Sequence, residues 1–195
     1  MIRPKEIDSN TFIGGWYIDK EICEELIQYF QYNKKYTKTG AIGNGIDLTI
    51  KDSIDLNISP GNFDGIIGKY REILSGLLKE YLNKFPAAND AYYFDIIEKL
   101  NLQYYKCNGG FKEWHHENDG TLKTVQRHLV FMTYLNDVEN GGTDFKYYKD
   151  VVNHAEQGLT LIWPAGWTHN HRGRISKDKE KYIITGWFSF LKENQ

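Results

Sequence analysis

The hydrophobic pattern of this chain changes character near residue 93, and this change constrains the fold more than any other feature. Before it, apolar residues recur three and four positions apart in two segments, which is typical of amphipathic helices. After it, apolar residues form short β-rich runs bounded by turn residues, at 94–106, 127–135, 141–147, 158–163 and 182–190. A block of helices followed by a block of short strands indicates an α+β fold and disfavours an alternating βαβ sheet.

Two helices are predicted in the first half of the chain. The first runs from Asp19, a suitable N-cap residue, to about Asn33. The second begins after Ser59-Pro60, where proline suits the first helical turn, and continues to about Phe85. Because each helix has an apolar face, we expect both to cover one sheet of a double-stranded β-helix, the jelly roll of cupin-like proteins.

The segment between the two helices, residues 37–60, is polar and contains three glycines. Its pattern predicts a mobile loop or a hairpin. A connection of this length inside a compact domain is uncommon unless it forms a lid or a binding loop. Flexible scaffolding is the alternative, and the sequence leaves both open.

Length and composition limit the chain's organisation. A chain of 195 residues predicts a single domain over 1–195, with helical support over about 1–92 and a jelly-roll core over about 93–192. The net charge of −2 provides no positive field for a nucleic acid or an anionic membrane surface. No apolar run approaches the roughly 18 residues of a membrane span, so we expect neither nucleic-acid nor membrane partners.

Cysteine content and the first residues bear on the compartment. Residues 1–6 lack the apolar stretch of a signal peptide. Only Cys23 and Cys107 are present, too few to predict a disulfide framework. These features favour reduced cysteines and a cytoplasmic protein.

Two strands of the second half carry polar residues at positions that the period-two pattern places on one face. In the first, Asn101, Gln103 and Tyr105 share a face that is either exposed to solvent or lines a wet cavity inside the roll. In the last, both faces are apolar enough to be buried. Lys181 begins that strand and therefore requires an anionic partner.

The histidines provide the strongest chemical pattern. Four of the six fall into two pairs, at 115–116 and at 169 and 171. On an extended segment, His115 and Glu117 point the same way, and a distant histidine would complete a set of two imidazoles and one carboxylate. This set leaves the opposite metal positions open, as in non-haem Fe(II) oxygenases. A helical zinc-protease motif starting at His116 fails because Gly120 occupies its fifth position.

From about Leu102 to Phe190, the sequence resembles the 2-oxoglutarate- and Fe(II)-dependent oxygenases, and within them the prolyl 4-hydroxylase-like branch. A basic residue about ten positions after the distal histidine is typical of that branch, and Lys181 lies ten positions after His171. The resemblance rests on this spacing and on five motifs, at residues 103–111, 114–117, 134–136, 141–145 and 171–173.

The resemblance implies roles for individual residues. His115, Glu117 and His171 would bind Fe(II), and Lys181 would bind the distal carboxylate of 2-oxoglutarate. Further expectations concern two tyrosines: Tyr134 would hydrogen-bond the same carboxylate, and Tyr105 would reach into the cosubstrate pocket. Packing is the alternative role for both tyrosines, because the chain contains 14 of them.

The metal ligands of the branch differ here in one respect. Its usual carboxylate ligand is aspartate, whereas this chain has Glu117, whose side chain is one methylene longer. Asp119 is the competing carboxylate, although it suits an extended ligand strand poorly. His169 has the same strand parity as His171, so alternation alone does not choose between them. The glycine at 173 and the lysine at 181 favour His171.

The implied reaction is hydroxylation of an unactivated C–H bond, coupled to decarboxylation of 2-oxoglutarate to succinate and CO2. Fe(II), 2-oxoglutarate and molecular oxygen would take part, with ascorbate as a candidate reductant. A peptide, protein or small molecule would be the substrate, and peptidyl proline is the candidate suggested by the branch. Residues near the ligands are candidates for contact with it: Trp114, Asn118, Arg127 and Arg174.

Two other hypotheses remain open from the sequence. One is a noncatalytic, cupin-like module that holds a metal or a small ligand, and it does not require Lys181. The other is a zinc hydrolase that uses the same three ligands, with tetrahedral metal geometry and activity without oxygen.

Overall fold

The computed structural model describes residues 3–43 and 45–191. Met1, Ile2 and position 192, where the predicted core ends, lie outside them. The helices are α1 (Lys20–Tyr32) and α2 (Gly65–Lys84). The strands are β1 (Arg3–Pro4), β2 (Gly14–Tyr17), β3 (Lys38–Thr39), β4 (Lys51–Asp52), β5 (Ile54–Ile58), β6 (Phe94–Asp95), β7 (Leu100–Tyr105), β8 (Gly110–Phe111), β9 (Arg127–Tyr134), β10 (Thr143–Phe145), β11 (Leu159–Pro164), β12 (His171–Gly173) and β13 (Lys181–Phe190).

A large antiparallel sheet forms one layer of the molecule. In the part of the chain that is described, its strand order is β1-β2-β11-β9-β13-β7-β5-β3, and β6 also pairs with β13. Two short antiparallel pairs, β4–β8 and β10–β12, form the other layer. The predicted α+β fold with a jelly-roll core is confirmed.

Both helices pack on the same face of the large sheet. Leu26 and Phe30 of α1 and Leu74 and Leu77 of α2 are fully buried there. They meet side chains from alternate positions of the central strands, among them Leu102, Phe131, Ile184 and Phe188. The residues between these positions face the opposite way, toward the second layer.

Helix α1 spans the predicted residues, with Asp19 at its N-cap, but α2 starts later than predicted. Helix α2 begins at Gly65, after the N-cap residue Asp64. The preceding Ser59 accepts a hydrogen bond from the Asn62 N–H at its carbonyl and one from the Gly61 N–H at its hydroxyl. These bonds form a turn around Pro60, so this proline does not lie in the first turn of the helix.

The first half of the chain also supplies strands that the sequence analysis did not identify. Within residues 37–60, the hairpin alternative is correct: β3 pairs with β5, and β5 pairs with β7 in the large sheet. The same segment contains a short apolar stretch, Ile46 to Ile50, which lies in a largely exposed turn. Strand β2 likewise joins β11. The alternation of Ile54, Leu56 and Ile58 was the sequence feature that indicated β5.

The described residues contain no helix that combines the length and apolar composition required to cross a membrane. Cys23 and Cys107 are free thiols, as predicted. Burial raises the pKa of Cys23 to about 12, so this thiol is protonated and serves as a core residue.

A hydrogen-bond chain connects α2 to the sheet. The Tyr70 hydroxyl lies 2.8 Å from the Thr133 hydroxyl, which lies 2.7 Å from that of Thr160. Since Tyr70 is fully buried, Tyr70→Phe should lower the free energy of unfolding by about 1–2 kcal/mol in denaturant titration. Tyr32→Phe, at an exposed position of α1, should change it by less than about 0.5 kcal/mol. Equal effects would contradict this role.

Candidate functional site

Two histidines from different segments are brought together by backbone pairing. His115 and His171 exchange both main-chain hydrogen bonds, at 2.9 Å and 2.8 Å. Residues directly opposite each other in an antiparallel pair project their side chains to the same face. Their imidazole centroids are therefore only 4.4 Å apart.

Glu117 completes this cluster. Its main-chain N–H donates to the carbonyl of Ala165, 3.1 Å away, which fixes the backbone two residues after His115. Its Oε1 atom lies 3.6 Å from Nε2 of His115 and 3.7 Å from Nε2 of His171. One donor atom from each of the three residues lies within 4.8 Å of the others.

Hydrogen bonds at the far side of each ring fix the tautomers. Nδ1 of His115 lies 2.9 Å from the carbonyl oxygen of Glu113, and Nδ1 of His171 lies 2.8 Å from that of His169. Because a carbonyl oxygen can only accept, each Nδ1 carries the proton. In the neutral form of each ring, Nε2 is then the unprotonated atom and faces the Glu117 carboxylate, the arrangement that histidine metal ligands adopt.

The electrostatics of the cluster match this arrangement. Burial and the proximity of His115 lower the pKa of His171 to about 3, so its imidazole is neutral. Burial alone would raise the pKa of Glu117, but the neighbouring His115, His171 and Arg127 side chains lower it to about 2. Of these neighbours, the Arg127 guanidinium carries a permanent positive charge. Two imidazoles and one carboxylate fit a divalent first-row metal with open positions opposite, as in Fe(II) oxygenases.

The competing ligands considered from the sequence lie outside the cluster. Asp119 is exposed and accepts hydrogen bonds from Thr121 and Thr124 in its own loop. His169 is buried, but its Nε2 donates to the carbonyl of Thr11, 2.8 Å away. The structure thus brings His171 and Glu117 to the cluster and leaves both alternatives apart.

The cluster lies in a cavity of about 630 Å³ between the two layers. The polar face of β7, with Asn101, Gln103 and Tyr105, lines this cavity. Of the two locations expected for this face, solvent or a cavity inside the roll, the second is correct. From β13, Lys181, Ile183, Thr185 and Trp187 project into it. Tyr182, Ile184 and Phe188 of the same strand project toward the helices.

Lys181 is a buried cation inside this cavity. Its Nζ donates to the main-chain carbonyls of Gly141 and Arg174, both 2.8 Å away. Among the residues described, no carboxylate pairs with it, although the sequence analysis required an anionic partner. Burial lowers its pKa to about 8. Its protonated form therefore lacks a balancing charge, which a carboxylate of a bound ligand could supply.

Comparisons with known proteins agree with this geometry. Residues 100–189 match the family model of the 2OG-Fe(II) oxygenase superfamily. The match covers 90 of the 195 residues, so this segment is similar to that superfamily. No curated protein matches the chain by sequence. The resemblance found in the sequence is confirmed.

Solved structures share the fold at low identity. A Pseudomonas putida prolyl-4-hydroxylase matches with a TM-score of 0.67 and 12% identity, over 92% of this chain and 93% of its own. The viral collagen prolyl hydroxylase of Paramecium bursaria Chlorella virus-1, in a 2OG complex, matches with a TM-score of 0.67 and 19% identity, over 95% of this chain and 100% of its own. A Trichoplax adhaerens prolyl hydroxylase in complex with a hypoxia inducible factor peptide matches with a TM-score of 0.70 and 15% identity, over 93% of this chain and 84% of its own.

The two tyrosines expected at the cosubstrate site of this superfamily both line the cavity. The hydroxyl of Tyr134 lies 2.5 Å from the Thr143 hydroxyl. The hydroxyl of Tyr105 donates to Oε1 of Gln103, 2.8 Å away, so its proton is already engaged within the protein. Burial raises the pKa of both phenols, so both are protonated.

A buried ion pair in the cavity wall was not foreseen from the sequence. Lys51 Nζ lies 2.7 Å from Oδ2 of Asp55, and this carboxylate also accepts from Ser53 and Gln103. Gln103 in turn accepts from Tyr105. Lys51, Asp55 and Gln103 lie on β4, β5 and β7, so the pair connects the hairpin to the sheet. In the sequence, the indication of this ion pair is the apolar alternation of β5, the strand that carries Asp55.

Removing one member of this pair leaves a buried, uncompensated charge. Asp55→Ala should therefore lower the free energy of unfolding by roughly 3–5 kcal/mol. Lys69→Ala, which breaks the exposed Lys69–Glu25 pair, should change it by less than about 1 kcal/mol. Denaturant titration of both variants checks the difference, and a comparable small loss in both would refute the structural role of the buried pair.

Proposed function

We propose that this chain is a hydroxylase that binds Fe(II) through His115, Glu117 and His171 and uses 2-oxoglutarate as cosubstrate. The observation that carries the proposal is the placement of a cluster of two histidines and one carboxylate in one cavity with the buried Lys181. A noncatalytic metal module would not require a buried cation there. The superfamily match over residues 100–189 supports the same cofactors.

Each protein group has a defined task in this proposal. The two Nε2 atoms and Oε1 of Glu117 hold the metal on one side and leave its other side open to the cavity. Lys181 and the Tyr134 hydroxyl, which both line the cavity, bind the carboxylate of 2-oxoglutarate that is distant from the metal. When bound, Fe(II) and 2-oxoglutarate supply the chemistry that adds an oxygen atom from O2 to a C–H bond and releases succinate and CO2.

For the substrate, we propose a peptide that contains proline. The support is the fold shared with prolyl hydroxylases, one of which is in complex with a peptide fragment. Residues 41–43, beside the exposed turn of the β3–β5 hairpin, also line the cavity. A free amino acid or another small molecule is the alternative substrate. Proline-containing peptides and free proline, assayed separately with ascorbate as reductant, distinguish these substrates by the amount of succinate formed.

The metal and cosubstrate assignment has a direct spectroscopic test. Anaerobic addition of Fe(II) and then 2-oxoglutarate to the apoprotein should produce the weak visible charge-transfer band of a chelated keto acid. His171→Ala should abolish the band because one of three ligands is lost. His154→Ala, at an exposed position, and Asp119→Asn should both retain it. A folded, Fe(II)-loaded wild type without the band would contradict the proposal and favour a binding module.

Lys181 should affect cosubstrate binding and leave metal binding unchanged. Lys181→Met fills the space but lacks the charge, so we expect the affinity for 2-oxoglutarate to fall roughly 10- to 100-fold, the value of about 1.5–3 kcal/mol for a charged hydrogen bond. The exposed variant Lys179→Met should match the wild type. Because the pKa of Lys181 is about 8, wild-type affinity should decline as pH rises above about 8, where the ammonium deprotonates. Titration calorimetry measures each affinity, and an unchanged value for Lys181→Met would refute its role.

A further inference from the structure

The two carboxylate oxygens of Glu117 have different surroundings. Oε1 faces the histidine pair, whereas Oε2 points away and accepts two hydrogen bonds. One comes from Nε1 of Trp187, at 3.0 Å, and the other from Nη1 of Arg127, at 3.3 Å. Nη1 of Arg127 also donates to the main-chain carbonyl of Glu117, at 3.1 Å. The side chain and the backbone of Glu117 are thus held by the same guanidinium.

Arg127 is itself held on its other side. Its Nε lies 3.0 Å from Oε1 of Glu98, and its Nη2 lies 2.7 Å from Oε2. The Ser189 hydroxyl donates to the same Glu98 carboxylate, at 2.9 Å. The guanidinium also stacks on the Trp187 ring, with Cζ 3.5 Å from the centroid. A planar, two-sided contact of this kind fixes the orientation of an arginine.

We propose that Arg127 and Trp187 are positioning residues that hold Glu117 as a one-oxygen metal ligand. The inference rests on the proposed metal site. Glutamate has one more rotatable bond than aspartate, so its carboxylate must lose more conformational freedom to bind a metal. With Oε2 engaged by two donors, only Oε1 is presented to the metal, and the position that a second carboxylate oxygen would occupy stays open.

Hydrogen-bond partners behind metal ligands affect affinity by about 10- to 100-fold. Titration of the apoprotein with Mn(II), measured by calorimetry, should therefore show a dissociation constant roughly 10- to 100-fold higher for Arg127→Gln. Trp187→Phe removes one donor to Oε2 and retains a ring under the guanidinium, so it should show a smaller increase. Arg127→Lys keeps the positive charge but lacks the planar guanidinium that contacts Glu98 and Glu117 together. We expect this variant to bind Mn(II) more weakly than the wild type.

A double-mutant cycle tests whether Arg127 acts through Glu117. In a Glu117→Ala background, the additional Arg127→Gln change should leave the residual Mn(II) affinity unchanged. Glu98→Gln with Arg127→Gln removes one charge of each sign, so its net charge equals that of the wild type. Weak binding in this double variant would show that orientation matters, whereas recovery of wild-type affinity would attribute the effect to local charge and overturn the proposal.

Controls separate this inference from folding defects and from the metal site itself. Arg71→Gln removes an arginine stacked on Phe63 outside the cavity, and Trp167→Phe alters an exposed indole; both should bind Mn(II) as the wild type does. Circular dichroism of every variant establishes that it is folded. A wild type that binds no Mn(II) contradicts the proposed function. A wild type that binds Mn(II), with folded Arg127→Gln and Trp187→Phe equal to it, contradicts only the positioning role.

Discussion

The alternation of side chains along β13 is the constraint on which both halves of the structure depend. One set of positions, including Ile184 and Phe188, enters the core beneath the helices, and the set between them faces the cavity. A shift of register by one residue would exchange these two sets and place Lys181 and Trp187 in an apolar core. The packing of α1 and α2 therefore also determines which side chains reach the site. Fold stability and site geometry depend on the same register.

Backbone pairing provides the second level of organisation. The clustered residues His115 and His171 lie 56 positions apart in the sequence, yet the two main-chain hydrogen bonds between them bring their rings together. Their Nδ1 atoms donate to carbonyls of the same segments, two residues earlier in each case. Local chain geometry thus sets the direction of each ring, and strand pairing sets the distance between them. The cluster requires both, because three donors at correct distances with wrong tautomers would not bind a metal.

Patterns that repeat locally were predictable, and features that depend on distant contacts were not. Helix α1, the strands of the second half and the polar face of β7 follow from periodicity. The start of α2 does not follow from periodicity, because Pro60 lies in a turn closed by Ser59 and not in the first turn of the helix. The sequence left residues 37–60 open between a loop and a hairpin, because the pairing of β5 with β7 joins distant segments. The histidine and glutamate pattern was visible in sequence, whereas the Lys51–Asp55 pair became recognisable only once β4 and β5 were placed.

Two cations in the cavity wall, Lys51 and Arg127, are paired with carboxylates, and a third, Lys181, is not. Lys51 has Asp55, and Arg127 lies between Glu98 and Glu117. Within the described chain, Lys181 has only carbonyl partners. Isolating an ammonium in a dry interior is costly, and well-packed apolar residues would stabilise the fold more. An unpaired lysine beside a metal-type cluster therefore makes sense as one half of an interaction whose other half arrives with an anionic ligand. In the proposed function, the longer Glu117 fits the same logic, because Arg127 neutralises its second oxygen within the protein and Lys181 keeps its charge for the anionic ligand.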